Sequence, residues 1–434
     1  MNRNFKINLE WEDPMKARGQ ELRATWARLD ILVGGIPITR LIDGKTKSIR
    51  NSIYGPLYPV AEWIAMNWWP LLHENDAPHT VRARTYAHRH NLHSASEGFS
   101  LPNLLFRPSG RMMDLAWTAK RIPATGIEFL ESGSDSLPAD SVSDEIVNFL
   151  MAVIGRLESE GISGTPLQNE WSAIQSMDSD EKEFCEFAAS LGEDPFSLDD
   201  GSREQMVELA ARIPSELSGE FIAAIDFGNL ADHLRNLNEA LELAATSLPP
   251  LIIPILENAL RPSPNLGTPW ENGYVLARHL REKLGLNGHL LADDTTLAHA
   301  IHVEDTFLDR AASADCNPLW SGFDALVAPS NKGGSVFMIG KTRGDSRRYA
   351  FCRALYDSLS GASSALVSKA RTDRQRANRA FAAELLAPSD LLRERVNQEV
   401  ADEALVMDLA EEFGVYELVI RHQLTNHHIA EVVV

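Results

Sequence analysis

The sequence has few cysteines and no long apolar run. Its three cysteines, Cys185, Cys316 and Cys352, are widely separated and odd in number, which indicates reduced thiols rather than a disulfide framework. No stretch approaches the roughly 18 apolar residues that a membrane-spanning helix needs. The first fourteen residues also lack the apolar core of a signal peptide. We therefore expect a cytoplasmic protein that does not bind membranes.

Positive charge is scarce in most of the chain, although one end is basic. The formal net charge is −20, from 41 Lys and Arg against 61 Asp and Glu. Residues 1–121 carry 17 basic and 11 acidic side chains, whereas residues 122–434 carry 24 and 50. A basic N-terminal module suits an anionic partner, and it equally suits docking on the protein's own acidic body.

The length of the chain predicts two or three domains. Residues 1–125 combine β-prone runs with a short helix and predict a basic α+β module. The Gly-, Ser- and Asp-rich stretch 131–144 then predicts a linker. Apolar residues at three- and four-residue spacing predict a helical domain over 143–262, and mixed patterns predict a third domain over 269–434. We therefore expect a predominantly helical α+β protein.

Local signals within the first domain predict particular elements. Gly34 and Gly35 separate two β-prone runs and predict a hairpin. The turn Arg107-Pro-Ser-Gly110 predicts a second pair of short strands. Pro59 suits the first turn of a helix, so we expect a helix to begin there.

The segment 79–93 is rich in arginine and histidine. An anion-binding surface is the functional interpretation, because arginine reaches phosphates and Tyr86 is available for stacking. A metal site is disfavoured, because arginines would surround the cation and no acidic ligand is nearby. A solvated basic face is the structural alternative. The candidate ligand-binding residues are Arg82, Arg84, His88, Arg89 and His90.

Two helical patterns joined by a small, polar linker span residues 347–388, and the rest of the chain is organised around them. Each pattern places its apolar side chains on one stripe of a helix. Asp373 stands where a carboxylate caps the second helix, and Pro388 marks its end. The apolar positions are Tyr349, Cys352, Leu355 and Leu359 in the first pattern, and Ala377, Ala380, Phe381 and Leu385 in the second.

These patterns resemble the core of the ImmA/IrrE family of zinc metallopeptidases, in which an Arg-aromatic lead-in precedes HExxH and a later helix ends in FAAxLLxP. Here Arg348 and Tyr349 occupy the lead-in, and Phe381–Pro388 matches the ending. The resemblance covers about residues 270–430 and implies a zincin-like domain. Aligned on the lead-in, the positions of HExxH hold Arg353, Ala354, Leu355, Tyr356 and Asp357.

The metal motif is therefore replaced. In HExxH, two imidazoles on one helix face hold Zn²⁺ and the glutamate is the general base. Arg353 is always cationic and cannot ligate a metal, and Ala354 cannot accept a proton. Asp357 alone makes no catalytic zinc site. We expect a degenerate site without catalytic residues, metal or cofactor, and an ion pair between Arg353 and Asp357 on the helix surface.

The resemblance, together with the replaced metal motif, implies a regulator without peptidase activity. Family members typically act beside helix-turn-helix repressors in bacteria and mobile elements, which they cleave or displace. A degenerate member would be a sensor or regulatory binding protein in transcriptional control, a toxin–antitoxin pair or phage defence. It would hold a protein partner or an extended peptide along the former substrate groove, with Arg353 presenting charge to an acidic ligand.

Two alternative functions remain open. An active zinc metallopeptidase that cleaves a repressor would need rearranged ligands, namely Asp357, Asp373 and either His299 or His302. A regulator that binds nucleic acid would use the basic segment 79–93.

Residues 407–424 resemble a helix-turn-helix, with Gly414 at the turn and Val415 opening the second helix. A packing role is favoured over DNA binding, because the acidic side chains would repel phosphate. The second helix offers Arg421, His422 and Gln423, whereas the acidic residues are Glu411, Glu412 and Glu417.

Overall fold

The protein is α+β, as the sequence predicts. The computed structural model describes residues 4–13, 18–76, 83–253, 267–312, 322–341 and 343–433. The chain divides into two compact units, residues 1–207 and 208–434. The described helices between residues 143 and 253 belong partly to the first unit and partly to the second. The division into three domains stays a prediction. No helix within the described ranges is long and apolar enough to cross a membrane.

The strands of the first unit form antiparallel sheets. The strands are β1 (Phe5–Trp11), β2 (Trp26–Val33), β3 (Ile36–Pro37), β4 (Leu41–Asp43), β5 (Ser48–Arg50), β6 (Ile53–Pro56), β7 (Asn103–Ser109), β8 (Met112–Thr118), β9 (Lys120–Ile122), β10 (Ile127–Phe129) and β11 (Gly133–Pro138). The strand orders are β1-β2-β3 with β6 also paired to β2, then β5-β4-β10-β9, and β11-β8-β7.

The local predictions for this unit are confirmed. Val33 pairs with Ile36 across Gly34 and Gly35, which have φ angles of 58° and 87° and so form the predicted hairpin turn. Strands β7 and β8 pair around the predicted second turn. The helix predicted from Pro59 runs over Tyr58–Met66, with the proline in its first turn.

The predicted linker over 131–144 is wrong. Its first half forms β11, which pairs with β8 so that Gly133 lies opposite Trp117. A Cβ at Gly133 would lie 2.8 Å from the ring of the buried Trp117, so close packing accounts for this glycine. The small residues that indicate a linker are therefore part of a sheet.

The helices of the first unit cover these sheets. Helix α5 carries buried residues at helical spacing, from Val142 to Leu157, and packs against β1, β8 and β11. The helices are α1 (Gln20–Ala24), α2 (Tyr58–Met66), α3 (Trp68–His73), α4 (Ala83–His90), α5 (Ala139–Ser159), α6 (Pro166–Ser176) and α7 (Ser179–Ser190), and α8 (Asp200–Ala211) lies across the boundary between the units.

The second unit is built from helices around a small antiparallel sheet. Its helices are α9 (Ser218–Ile222), α10 (Leu230–Thr246), α11 (Pro269–Lys283), α12 (Asp294–Ala300), α13 (Phe307–Ala311), α14 (Gly344–Leu359), α15 (Asp373–Leu386), α16 (Ser389–Arg395), α17 (Glu403–Phe413) and α18 (Glu417–Asn426). Its strands are β12 (Phe323–Pro329), β13 (Ser335–Ile339), β14 (Ala365–Ser368), β15 (Val400–Ala401) and β16 (Glu431–Val432).

The sheet of the second unit has the strand order β13-β12-β14. Strand β14 lies within the linker predicted between the two helical patterns, so the prediction of a polar linker is wrong there. Its side chains are all buried, because alternate residues face opposite sides of the sheet and helices cover both sides. Helix α14 packs on one face, and α9 and α10 pack on β14 and β12.

Helix α11 packs along most of the length of α15. Leu276 and Leu280, one turn apart on α11, are buried in the core. Arg281 is buried beside them and donates hydrogen bonds to the carbonyl oxygens of Leu385 and Leu286, at 2.7 and 2.9 Å. The second helical pattern of the sequence is therefore held between α11 and α14.

Candidate functional site

In the alignment with HExxH, Arg353 occupies the position of the first metal-binding histidine. It lies inside the second unit and is 3% exposed. Its guanidinium donates to Asn378 Oδ1 at 2.9 Å and to Asp324 Oδ2 at 3.0 Å. It also donates to the Ser368 carbonyl and to Gln375 Oε1, both at 2.6 Å. The predicted surface ion pair with Asp357 is therefore wrong, and Arg353 does not present its charge to solvent.

Four elements bring these partners together. Asp324 lies on β12 and Ser368 ends β14, while Gln375 and Asn378 lie on α15, which faces α14. The side chain of Thr372 caps α15 by accepting from the Gln375 N–H. Helix α14 is buried almost all round, so its polar side chains must find partners within the fold.

Asp357 lies one turn further along α14 and is 1% exposed. Its Oδ2 accepts from Asn378 Nδ2 at 3.3 Å, whereas its Oδ1 has no hydrogen-bond partner among the described residues. Burial raises the pKa of this carboxyl to about 8. Asp357 is therefore mainly protonated at neutral pH in this structure.

Glu220 on α9 also belongs to the polar cluster around Arg353. The sequence predicts no functional role for this residue. Gln375 Nε2 donates to Glu220 Oε2 at 2.7 Å, and Thr372 Oγ1 donates to Glu220 Oε1 at 2.8 Å. Glu220 is buried in spite of the polar, acidic character of its segment. No periodicity or motif in the sequence marks this residue, because its partners are more than 150 positions away.

Glu384 lies within the Phe381–Pro388 ending and forms a second buried polar centre. It accepts from Arg278 Nε on α11 at 2.8 Å and from Gln423 Nε2 on α18 at 2.8 Å, and His427 Nε2 lies 3.3 Å away. Although burial alone would raise the pKa of Glu384, the adjacent His427 and the hydrogen bond from Arg278 lower it to about 2. The glutamate of this motif therefore joins α11, α15 and α18.

The basic segment of the first unit has an acidic partner, so the expectation that none is nearby is wrong. Glu74 is buried and accepts two hydrogen bonds from Arg89, one of them from Nε at 2.8 Å. His90 Nε2 lies 3.1 Å from the same carboxylate, and His90 Nδ1 lies 3.1 Å from the Phe106 carbonyl oxygen. Arg89 and His90 are thus bound within the fold.

The other residues of this segment differ in how far the structure describes them. Tyr86 is buried and stacks on His90 with ring centroids 3.7 Å apart, so it does not offer a free ring for a nucleic-acid base. His88 is exposed on α4. Arg82 lies outside the described residues, and Arg84 lies on α4 without a described side chain. Of the three candidates whose side chains the structure describes, His88 is exposed, whereas Arg89 and His90 are bound to Glu74.

The rearranged metal ligands are not assembled either. His299 is exposed and its Nε2 lies 3.1 Å from Asp305 Oδ1. His302 is exposed, whereas Asp357 is buried. Over the described ranges, no group of three His, Cys, Asp or Glu side chains is arranged to hold a metal.

The segment predicted as a helix-turn-helix forms α17 and α18, with Gly414 in the left-handed conformation between them. A Cβ at Gly414 would lie 1.9 Å from the Ala292 carbonyl oxygen, so the turn packs closely on the chain before α12. Arg421 pairs with Glu403. These contacts agree with the packing role predicted for this segment.

Comparison with known proteins adds no relative. The chain matches no protein-family model, no curated protein and no solved structure. The resemblance to the ImmA/IrrE family therefore rests on the sequence patterns of residues 347–388, and it remains a prediction.

Proposed function

We propose that this protein is a catalytically degenerate, ImmA/IrrE-like regulator that acts by binding a protein partner rather than by cleaving it. The observation that carries the proposal is the position of Arg353. A cationic side chain held by a carboxylate, two side-chain amides and a backbone carbonyl stands where a zinc peptidase needs an imidazole.

The neighbouring residues support the same proposal. Ala354 has no proton-accepting group where the general base stands in HExxH. Asp357 is buried, and its raised pKa keeps it neutral near pH 7. A polar cluster of this kind is suited to fix the relative positions of α14, α15 and the sheet rather than to activate water.

An extended peptide is the partner that the sheet suits best. Strand β13 is the outer strand in the order β13-β12-β14, and one isolated bridge, from Leu251 to Ser335, pairs with its outer side among the described residues. Backbone groups on the outer side of an edge strand bind an added strand through main-chain hydrogen bonds. A regulated protein could therefore add a segment beside residues 336–339.

The first experiment is metal analysis of the full chain purified without a histidine tag. We expect zinc well below one atom per chain and no peptidase activity. About one zinc per chain, lost in Asp357→Ala or Asp373→Ala, would overturn the proposal and establish a rebuilt peptidase site.

A second experiment addresses binding. Photo-crosslinkers placed at the exposed position 332 and the half-buried position 335 would be activated in cells, and the crosslinked peptides identified by mass spectrometry. We expect one protein to be captured through an extended segment, and a crosslinker at the exposed residue Glu282 serves as the control. Equal capture at both places would contradict a peptide site at β13.

A further inference from the structure

Two arginines of the second unit converge on one backbone oxygen. Arg353 Nη2 donates to the Ser368 carbonyl at 2.6 Å, and Arg379 Nη2 donates to the same oxygen at 3.3 Å. Arg379 also donates to the Ala370 carbonyl. Two guanidinium groups, one on α14 and one on α15, are therefore held side by side at the end of β14.

The negative charge at this place does not balance the positive charge. Asp324 Oδ2 accepts from Arg353 at 3.0 Å, and its Oδ1 lies 2.7 Å from Lys341 Nζ. Arg379 bonds to carbonyl oxygens, and over the described ranges it has no carboxylate within ion-pair distance. Lys341, Arg353, Arg379 and Asp324 together carry a charge of +2. The buried Glu220 carboxylate hydrogen-bonds to Gln375 and not to any of these four groups.

Such an excess is costly in a partly buried place. Charged groups removed from water need a counter-charge, and like charges raise each other's energy. Burial is the main cause that lowers the pKa of Arg379 to about 9, and the proximity of Arg353 is the second. A lowered pKa is expected for a buried cation beside a like charge. The groups that accept from the Arg379 guanidinium are the Ser368 and Ala370 carbonyls, which are dipoles rather than charges.

The surroundings are also basic, although the unit is acidic. Residues 208–434 carry 21 Lys and Arg against 31 Asp and Glu, whereas residues 369–379 carry five basic side chains and one acidic. Lys369 and Arg371, which precede α15, are exposed. The sign of the charge in this segment is therefore opposite to that of the unit as a whole, which favours the approach of an anion.

We propose that Arg379 and Lys341, with Arg353 behind them, form a binding site for the phosphate group of a small phosphate monoester. A phosphate monoester carries a charge of about −1.5 to −2 at neutral pH and three strong acceptor oxygens. This charge balances the +2 of the cluster, whereas a carboxylate would balance half of it. Arginine is suited to such a group, because its planar fork donates two parallel hydrogen bonds. Arg353 stays bonded to its present partners and contributes charge rather than contact.

This site is independent of the peptide interaction at β13, and either proposal can fail alone. If the protein is a regulator, the phosphate compound is an effector of its second unit. If it is not, the phosphate site still stands on its own charges and contacts.

The test is calorimetric titration of the full chain at low ionic strength with inorganic phosphate and, separately, a nucleoside monophosphate. We expect saturable binding of phosphate, weakened about tenfold or more in Arg379→Gln, which is the loss of one charged contact. Tighter binding of the nucleotide would identify a nucleotide as the source of the phosphate, and equal binding would identify free phosphate.

The matched control is Arg393→Gln, which removes an exposed arginine from α16 and should leave phosphate binding unchanged. Lys341→Gln tests the same site through a half-exposed side chain, so the result does not depend on how Arg379→Gln folds. Absence of saturable binding, equal weakening in Arg393→Gln, or acetate binding as tightly as phosphate would each overturn the proposal.

Discussion

Gly273 and Ala377 bring the backbones of α11 and α15 into direct contact. A Cβ added at Gly273 would lie 2.1 Å from the Ala377 carbonyl oxygen and 2.9 Å from the Ala380 Cβ. Both distances are far inside van der Waals contact, so a methyl group there must push the two helices apart. We expect Gly273→Ala to lower the free energy of unfolding by about 3 kcal/mol, measured by urea denaturation.

Gly219 provides the matched control for this prediction. It lies on α9 of the same unit, is exposed, and has no atom within 4 Å of a Cβ. Gly219→Ala should therefore raise the free energy of unfolding by about 0.5 kcal/mol, because alanine loses less conformational entropy than glycine in a helix. A similar loss in both variants would show that close helix packing is not the cause.

Asp357 should make the protein less stable as the pH rises. Its folded pKa of about 8 is above the ordinary value of 3.8, so between these pH values the folded state holds a proton that the unfolded state releases. The stability linked to this group is complete below about pH 4 and is lost as the pH rises to about 8. Asp357→Asn cannot ionise, so we expect its stability relative to the native protein to increase across this interval in urea denaturation.

The control for the pH experiment is Asp390→Asn, which changes an exposed carboxylate on α16. Its stability should follow that of the native protein between about pH 4 and 8. If the difference between Asp357→Asn and the native protein were constant over this interval, Asp357 would be ionised in the folded state.

Glu384 should have the opposite effect on stability, namely a loss of stability as the pH falls. Its folded pKa of about 2 is below the ordinary value of 4.5, so its contribution to stability is complete above about pH 4.5 and is lost as the pH falls to about 2. Glu384→Gln should cost about 3 kcal/mol at neutral pH, because Arg278 and His427 lose a buried carboxylate. The variant should also lose less stability than the native protein on acidification.

The measurement is thermal or urea unfolding at several pH values, with Glu282→Gln on the exposed face of α11 as the control. The control should behave as the native protein at every pH. If Glu384→Gln and the native protein lost equal stability on acidification, the acid-sensitive carboxylate would be another residue.

Arg353 should be more important for stability than its ion pair alone indicates. Arg353→Met leaves Gln375 Oε1 and Asn378 Oδ1 without their strongest donor and leaves Asp324 with Lys341 alone. We expect a loss of about 3–5 kcal/mol in urea denaturation, typical of removing one partner from a buried pair.

An exposed ion pair supplies the comparison. Arg235 lies 2.8 Å from Asp232 on the surface of α10, and Arg235→Met should change stability by less than about 1 kcal/mol. Equal effects at Arg353 and Arg235 would mean that the buried network contributes no more than a surface pair.

The sequence predicts those elements whose signals are local. Gly34 and Gly35 define a hairpin because the turn requires positive φ angles, and Pro59 indicates a helix start because its own φ suits the first turn. The environment of Arg353 depends on residues that are distant in the sequence. Its spacing to Asp357 predicts a surface pair, yet its carboxylate partner, Asp324, lies on a strand 29 positions earlier.

Burial on all sides also makes secondary-structure elements difficult to recognise from the sequence. Helix α14 is enclosed on nearly every side, so its polar residues do not mark an exposed face as they would on an amphipathic helix. Strand β14 has four residues and is buried on both faces, so it lacks the alternation that identifies a strand. For the same reason, Glu220 could be recognised only once α9 was placed against β14.

The packing of α11 on α15 has a consequence for synthesis of the chain. The contacts between Arg278 and Glu384, and between Arg281 and Leu385, join residues 106 and 104 positions apart. At about 5–20 residues per second, α11 leaves the ribosome roughly 5 to 20 s before its partner helix is complete. During that interval the face of α11 that packs on α15 lacks its native partner and is exposed on the nascent chain.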